Sequence, residues 1–491
     1  MCCCVFVLLT LFSCSATKNY SPNKKYSQQQ LKEDYTLLRK ILETKHPSLY
    51  WYTSKDSMDL CFEKYYHAIS DSMTEQQFGW KIIAPLTNAI HCGHTSFGMS
   101  RAYIKWADKK KFPSFPLIMK VWNDTMAVTN NLNRKDSLFK RGTLITAVNG
   151  VRNKQLIAEM FGYMTEDGHA GNVNYLRLSG NFPYYHRNIY GLSQKYTVAY
   201  IDSTGNEKII TLPAYEPPKD SGKKTGVLKP VTGPKKETKL QRLQAIRSVV
   251  IDTAANTAII IINSFSSGAM KKFYKQTFRF IKTAGINNVV LDIRSNGGGK
   301  INLSTLLTRY VTRTKFRVAD TAFAATKSLS PYSRYIKNRL VNNLGLFFLT
   351  KKRSDGQYHF GHWERKYYYP IKSNHFGGNL YVLTNGQTFS AASLFCNAVK
   401  GQPGIQLVGE ETGGGWHGNN GIFIPDITLP NTRLRVRLPL FRLVQFNHVP
   451  KDGRGVMPDI YISTNYEALV KSKDKKMEVV MEMIRQSVTG N

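Results

Sequence analysis

Two stretches of this chain combine residue types that perform acyl-transfer chemistry. One is Thr384-Asn385-Gly386-Gln387-Thr388-Phe389-Ser390-Ala391-Ala392, and the other is Asp292-Ile293-Arg294-Ser295-Asn296-Gly297-Gly298-Gly299. Each follows an apolar run of strand character, Val289 to Ile293 and Leu380 to Leu383. The first run ends in a glycine triplet, whose bare backbone N–H groups suit an anion. The second ends in a turn leading to a serine that opens a helix, where the dipole favours developing negative charge. A serine in that position has two readings, a helix cap and a nucleophile. The glycine triplet tilts the balance towards a nucleophile beside an oxyanion hole, and so towards a hydrolase.

The elements that must position these residues follow from periodicity. Strands alternate with helices from about 245 to 465: Ala258 to Asn263 and Val289 to Ile293 as strands, Met270 to Ala284 and Ile301 to Val311 as helices, then Leu380 to Leu383, a helix from Ser390 to Lys400, and Ile405 to Val408. That alternation is the signature of an α/β core, expected over 245–470, with a tail or helix over 471–491. An aromatic-rich stretch, 313–378, reads as an insertion. Upstream, 27–105 reads as an N-terminal helical segment. Leu31, Tyr35, Leu38 and Leu42 keep helical spacing, a second helix covers Ser57 to Ser70, and a third starts at the Thr74/Gln77 capping-box pair and kinks at Pro85. Residues 112–215 are β-rich. Within them Gly142 to Val151 resembles the strand and turn of PDZ domains, which hold an extended peptide by strand addition. The run 216–244, rich in Pro, Gly and Lys, reads as a basic linker.

Composition bounds the rest. The chain has 491 residues, room for roughly three domains, and 42% hydrophobic content supports a sizeable core. Residues 1–14 are an apolar leader, too short to cross a bilayer, which takes about 20 apolar residues. Its Leu11-Phe12-Ser13-Cys14 ending resembles a lipobox, which makes Cys14 a lipidation site, followed by a polar tether over 15–26. The expected location is therefore the bacterial cell envelope, lipid-anchored. Only Cys61, Cys92 and Cys396 lie in the body, with neither a disulfide framework nor a metal-ligand pattern. The glycine runs lack the Lys-Ser/Thr pair of a phosphate-binding loop, so no cofactor or metal is expected. A formal charge of +35 favours acidic partners such as anionic envelope polymers. No nucleic-acid motif accompanies it, and no nucleic-acid partner is expected.

Four ordered motifs resemble the C-terminal processing (tail-specific) peptidase family: the two stretches above, Leu407-Val408-Gly409-Glu410-Glu411-Thr412-Gly413, and Gly455-Val456-Met457-Pro458-Asp459-Ile460. The resemblance implies a crotonase/ClpP-like core with an inserted PDZ-like domain. It also implies an oxyanion hole from backbone amides of Gly297 or Gly298 and of Ala391. The branch with a Ser–Lys dyad would place its lysine at Gly415 and a glutamate at Ser393, and neither residue is present. The tricorn-like branch takes its base from a histidine after the N-terminal helices, and here His91-Cys92-Gly93-His94-Thr95 stands at that place. This makes His94 the general base for Ser390, a role suited to imidazole at physiological pH. The same branch places an orienting acid before the Gly-Val-x-Pro-Asp motif, where this chain has Asp452; a turn-forming Asp-Gly is the alternative reading. His91 reads as a helix-end residue, His417 as a wall of the site, and Asp292 and Arg294 as structural.

The resemblance implies an exported serine endopeptidase acting on proteins or peptides. Two other classes compete: an inactive peptide- or hydrophobic-ligand-binding protein on the same fold, and an envelope polyanion-binding protein.

Overall fold

The computed structural model describes residues 20–218, 238–446 and 448–489. The leader with Cys14 and most of the basic linker lie outside the described residues.

The two chemistry-bearing stretches leave the C-terminal ends of two central strands of a six-stranded sheet. Its order is Arg247–Asp252, Thr257–Ile262, Asn288–Asp292, Asn379–Thr384, Ile405–Gly409, Ile460–Tyr461. The first pair is antiparallel and all the others are parallel. Parallel strands covered on both faces need apolar residues in both registers, which is why Val289, Val290 and Leu291 run consecutively. Val289 and Leu291 face a cluster with Phe273, Phe278, Leu307 and Phe395, from helices Met270–Thr283, Ile301–Val311 and Ala391–Val399. Val290 and Leu383 face the other way, against Val480, Met481 and Ile484 of the terminal helix Lys475–Thr489. Asp292 pairs with Leu383, so the glycine loop and the serine turn emerge side by side.

The N-terminal helices form a second body. Gln28–Lys45 starts at a capping box between Ser27 and Gln30, and Lys55–His67 follows. The third helix begins at the Thr74/Gln77 capping box and runs without a break to Asn88, with a π-helical turn just before Pro85. It runs as Glu75–Phe78, a π-helical turn Gly79–Ile83, and Ala84–Asn88. Pro85 lacks the N–H that a continuous α-helix would use there, and the π-turn, with the Ala84 amide on the Gly79 carbonyl, accommodates it.

The aromatic stretch 313–378 is no loose insertion. Its strands Thr321–Ala324, Lys351–Lys352 and Tyr358–His359 join Phe441–Val444 and Gly418–Ile422 in a five-stranded sheet. That sheet shares a core with the N-terminal helices. The β-rich region has its own antiparallel sheet, Leu117–Trp122, Thr125–Asn131, Leu144–Val148, Lys195–Ile201 and Glu207–Pro213 in that order. Phe115, Met119, Leu156 and Tyr196 lie in its separate core. One loop leaves this unit for the turn after the N-terminal helices and the loop before the last strand of the central sheet: the Gly168 amide donates to the His91 carbonyl (2.9 Å), and the His169 amide to that of Gly453 (2.8 Å).

Candidate active site

Ser390 stands between the strand Asn379–Thr384 and the helix Ala391–Val399 in a conformation few L-residues adopt, φ 56° and ψ −120°. Such strain persists only where neighbours over-determine it. Here they do. The Thr388 hydroxyl donates to the Ile293 carbonyl (3.1 Å), and the Phe389 amide donates to the Asn296 carbonyl (3.0 Å). From the helix side the Ser393 hydroxyl donates to the Thr388 carbonyl (3.1 Å). The result is a sharp strand-to-helix turn of the kind that exposes a nucleophile.

Asn296, fully buried, ties the glycine loop to this turn. Its Nδ2 donates to the Ile262 carbonyl (3.1 Å), and its Oδ1 accepts the Gly298 amide (2.9 Å). Gly298 has φ +96° and crosses so close to the serine that a Cβ would lie 2.7 Å from the Ser390 Cβ. No other residue fits there. The Gly298 amide is therefore already committed to Asn296, which removes it from the expected anion-binding set. The amides of Gly297 and Ala391 donate to no acceptor among the described residues. For Ala391 the reason is its place in the first helical turn, where N–H groups have no intrahelical partner.

His94 meets Ser390 across the whole fold, with Nε2 3.1 Å from Oγ. Its ring packs on Phe389, centroids 4.8 Å apart, and the residue is buried. Its backbone is anchored from behind. Buried His46 accepts the Ser48 amide at Nδ1 (3.1 Å), which leaves its Nε2–H to donate to the Thr95 hydroxyl (2.8 Å). Burial pushes the His46 pKa down to about 3, helped by the positive charge of Arg442. Gly421 closes the front of the pair. It sits at an irregularity between Asn419 and Ile422, and a Cβ there would lie 2.9 Å from Ser390 Oγ and 3.1 Å from His94 Nε2.

The structure does not bring Asp452 to His94. Asp452 is exposed and its Oδ1 accepts the Arg454 amide (2.9 Å), closing its own turn. The carboxylate beside the imidazole is Asp167, from the loop of the β-rich unit. Its Oδ1 lies 3.8 Å from His94 Nδ1 and accepts the Gly93 amide at 2.8 Å, and both side chains are almost fully buried. The His94 Nδ1 has no hydrogen-bond partner among the described residues. The Gly415 amide approaches the other oxygen of Asp167 at 3.4 Å. A Cβ at Gly415 would lie 2.5 Å from the Gly418 carbonyl oxygen, so the backbone there leaves no room for a lysine side chain.

Next to Asp167, Glu166 is pushed up to about 7, chiefly by burial, with the charges of Asp167 and Glu411 adding to the effect. His91 is held below its usual value by burial and by the neighbouring His169. His417 is turned away, its Nδ1 2.9 Å from the Val449 carbonyl oxygen and its ring near Trp51. Arg294 spans Asp292 (2.6 Å) and Asp474 (2.7 Å), fixing the base of the glycine loop to the start of the terminal helix.

Ser390 and His94 open onto a cavity of about 640 Å³ that is also lined by Gly297, Gln387, Arg177 and Arg437. A group of this size, with a serine hydroxyl on an imidazole nitrogen and two backbone amides unspent nearby, fits addition to a carbonyl.

Residues 256–462 match the model of peptidase family S41. No curated protein matches the sequence. Among solved structures, mature CPAF complexed with lactacystin superposes with a TM-score of 0.64 at 13% identity, over 94% of this chain and 99% of that one. Mature CPAF gives 0.64 at 14% identity, over 94% and 98%. At such identities these likenesses establish the fold. The segment that matches peptidase family S41, 256–462, is the one that carries Ser390 and the glycine loop, and the chain is a serine-type peptidase.

Proposed function

We propose that the chain is an endopeptidase of the tail-specific processing type with a histidine base in place of a Ser–Lys dyad. The observation that carries this reading is the 3.1 Å contact between His94 Nε2 and Ser390 Oγ. With its proton on Nδ1, His94 presents Nε2 as acceptor and faces Asp167 with the N–H. Ser390 Oγ attacks the scissile carbonyl as its proton passes to Nε2. The amides of Gly297 and Ala391 receive the oxyanion, and Asp167 stabilises the imidazolium. His94 then protonates the leaving amine, and water, activated by the same nitrogen, releases the acyl-enzyme. Asp167 takes the orienting role that the motif resemblance gives to Asp452.

The core is read as crotonase/ClpP-like, and the β-rich unit as a PDZ-like module that adds an extended peptide to a sheet edge. Export through the leader, with a lipid on Cys14 holding the enzyme at the cell envelope, completes the proposal. Contact with acidic envelope polymers rests on the +35 charge.

The test is cleavage of an unstructured protein by the parent, Ser390→Ala and His94→Ala. Both variants are expected to lose activity by at least roughly a thousandfold. Activity surviving His94→Ala removes the histidine base. A parent that binds peptides without cutting them favours the binding-protein reading.

A further inference from the structure

The helix Arg339–Leu349 wears its amphipathicity inside out. Its inward side is partly polar: buried Asn342 donates to the Lys337 carbonyl (2.9 Å), and Asn343 accepts the Leu329 amide (2.8 Å). Leu346 is its one fully buried apolar side chain, and Gly345 lies against the Phe423 ring. The outward side is apolar. Leu340, Val341, Leu344, Phe347 and Phe348 are 72%, 66%, 57%, 56% and 74% exposed. Their spacing, i, i+1, i+4, i+7, i+8, makes one continuous stripe. Hydrogen bonds on the inner side fix the helix in this rotation, so the stripe is not a core face waiting to turn inward. A contiguous exposed apolar patch of this kind marks an interaction surface.

The rim decides the partner. Arg334, Lys337, Arg339, Lys351 and Lys352 are exposed around the stripe, and Lys327 places its ammonium 4.1 Å over the Phe347 ring. The two acids nearest in the chain are already engaged. Glu364 is held by Arg353 and His359, and Asp355 by His359 (2.8 Å). A twofold contact between copies would set this patch against itself and bring like charges together. An acidic, apolar-backed surface satisfies both parts of the patch at once. The geometry points to an anionic lipid surface: this helix seats flat at the membrane interface, its leucines and phenylalanines in the acyl boundary and its rim on lipid phosphates. At 11 residues it spans only about 16 Å, so it lies on the bilayer and does not cross it. The proposal is independent of the peptidase chemistry.

The test is co-sedimentation of the chain from Ser15, which keeps every described element and lacks the leader, with phosphatidylglycerol and with phosphatidylcholine vesicles. The parent is expected to bind the anionic vesicles, and to lose that binding as salt rises. Leu344→Glu/Phe348→Glu is expected to weaken binding at least about tenfold, and Lys351→Glu/Lys352→Glu to weaken it and flatten the salt dependence. Because all four side chains are exposed, both variants should keep the parent's melting temperature and its cleavage of a short peptide. A parent that ignores anionic vesicles overturns the proposal, as does an apolar double variant that binds equally. A variant-sensitive dimer without vesicle binding would give the face to a second copy instead.

Discussion

Asp167 holds the backbone of Gly93 at 2.8 Å with the same oxygen that lies 3.8 Å from Nδ1 of His94. One carboxylate oxygen thus serves both the loop that carries His94 and the imidazole itself. Asp167→Asn keeps the shape and removes the charge. It is expected to lower kcat roughly 10- to 100-fold with little change in KM, measured on a peptide substrate. Asp452→Asn, at an exposed turn, should stay within about twofold.

Gly421 is the second point of control. A methyl group there intrudes on both Ser390 Oγ and His94 Nε2. Gly421→Ala is therefore expected to reduce kcat/KM by about 10- to 100-fold, because small displacements of reacting groups carry large rate penalties. Thermal unfolding should move little, which separates a displaced dyad from a damaged fold.

Asn296 should behave in the opposite way. Asn296→Ala leaves the Ile262 carbonyl and the Gly298 amide buried without partners, at a cost of about 2–4 kcal/mol in denaturant unfolding. Activity should fall with stability. Asn296→Asp keeps the acceptor for Gly298 and is expected to recover part of both.

His46 gives the fold a defined acid limit. Its folded pKa lies near 3, below the 6.5 of an exposed histidine, so between these values the unfolded chain binds the extra proton. Its contribution to stability is complete above pH 6.5 and declines by about 1.4 kcal/mol per unit as pH falls towards 3. Urea melts of the parent and of His46→Gln at pH 7 and pH 5 test this. The parent should lose stability relative to the variant at the lower pH.

How much of this was legible in the sequence depended on whether a residue's role is local. Ser390 and the glycine loop announce themselves because a strand, a turn and a helix start are short-range patterns, and the Asp292–Leu383 pairing then sets them side by side. His94 needed a family pattern, since nothing in its own surroundings names its partner. Asp167 carried no such pattern. It belongs to a Glu166-Asp167-Gly168-His169 turn inside the β-rich region, 74 residues from the amide it accepts, and only docking of that loop on the His91 and Gly453 carbonyls makes it part of the site. The one available signal was a dense cluster of ionisable residues in a turn. The commitment of the Gly298 amide was hidden likewise, because an asparagine two residues away can cap a loop or face solvent with the same sequence. The stretch 313–378 reads as an insertion because, among the described residues, its short strands Lys351–Lys352 and Tyr358–His359 pair only within the stretch, and a single long-range strand pairing, Thr321–Ala324 on Phe441–Val444, ties it to the rest.

Ser390 and His94, the proposed nucleophile and base, are 296 positions apart. On that proposal His94 comes from the N-terminal helical body, Asp167 from the β-rich unit after it, and Ser390 from the α/β core after that. An incomplete or half-docked polypeptide therefore holds a serine no more reactive than any other hydroxyl in water. If the proposed roles hold, hydrolytic power is a readout of finished assembly, withheld until every part is in place.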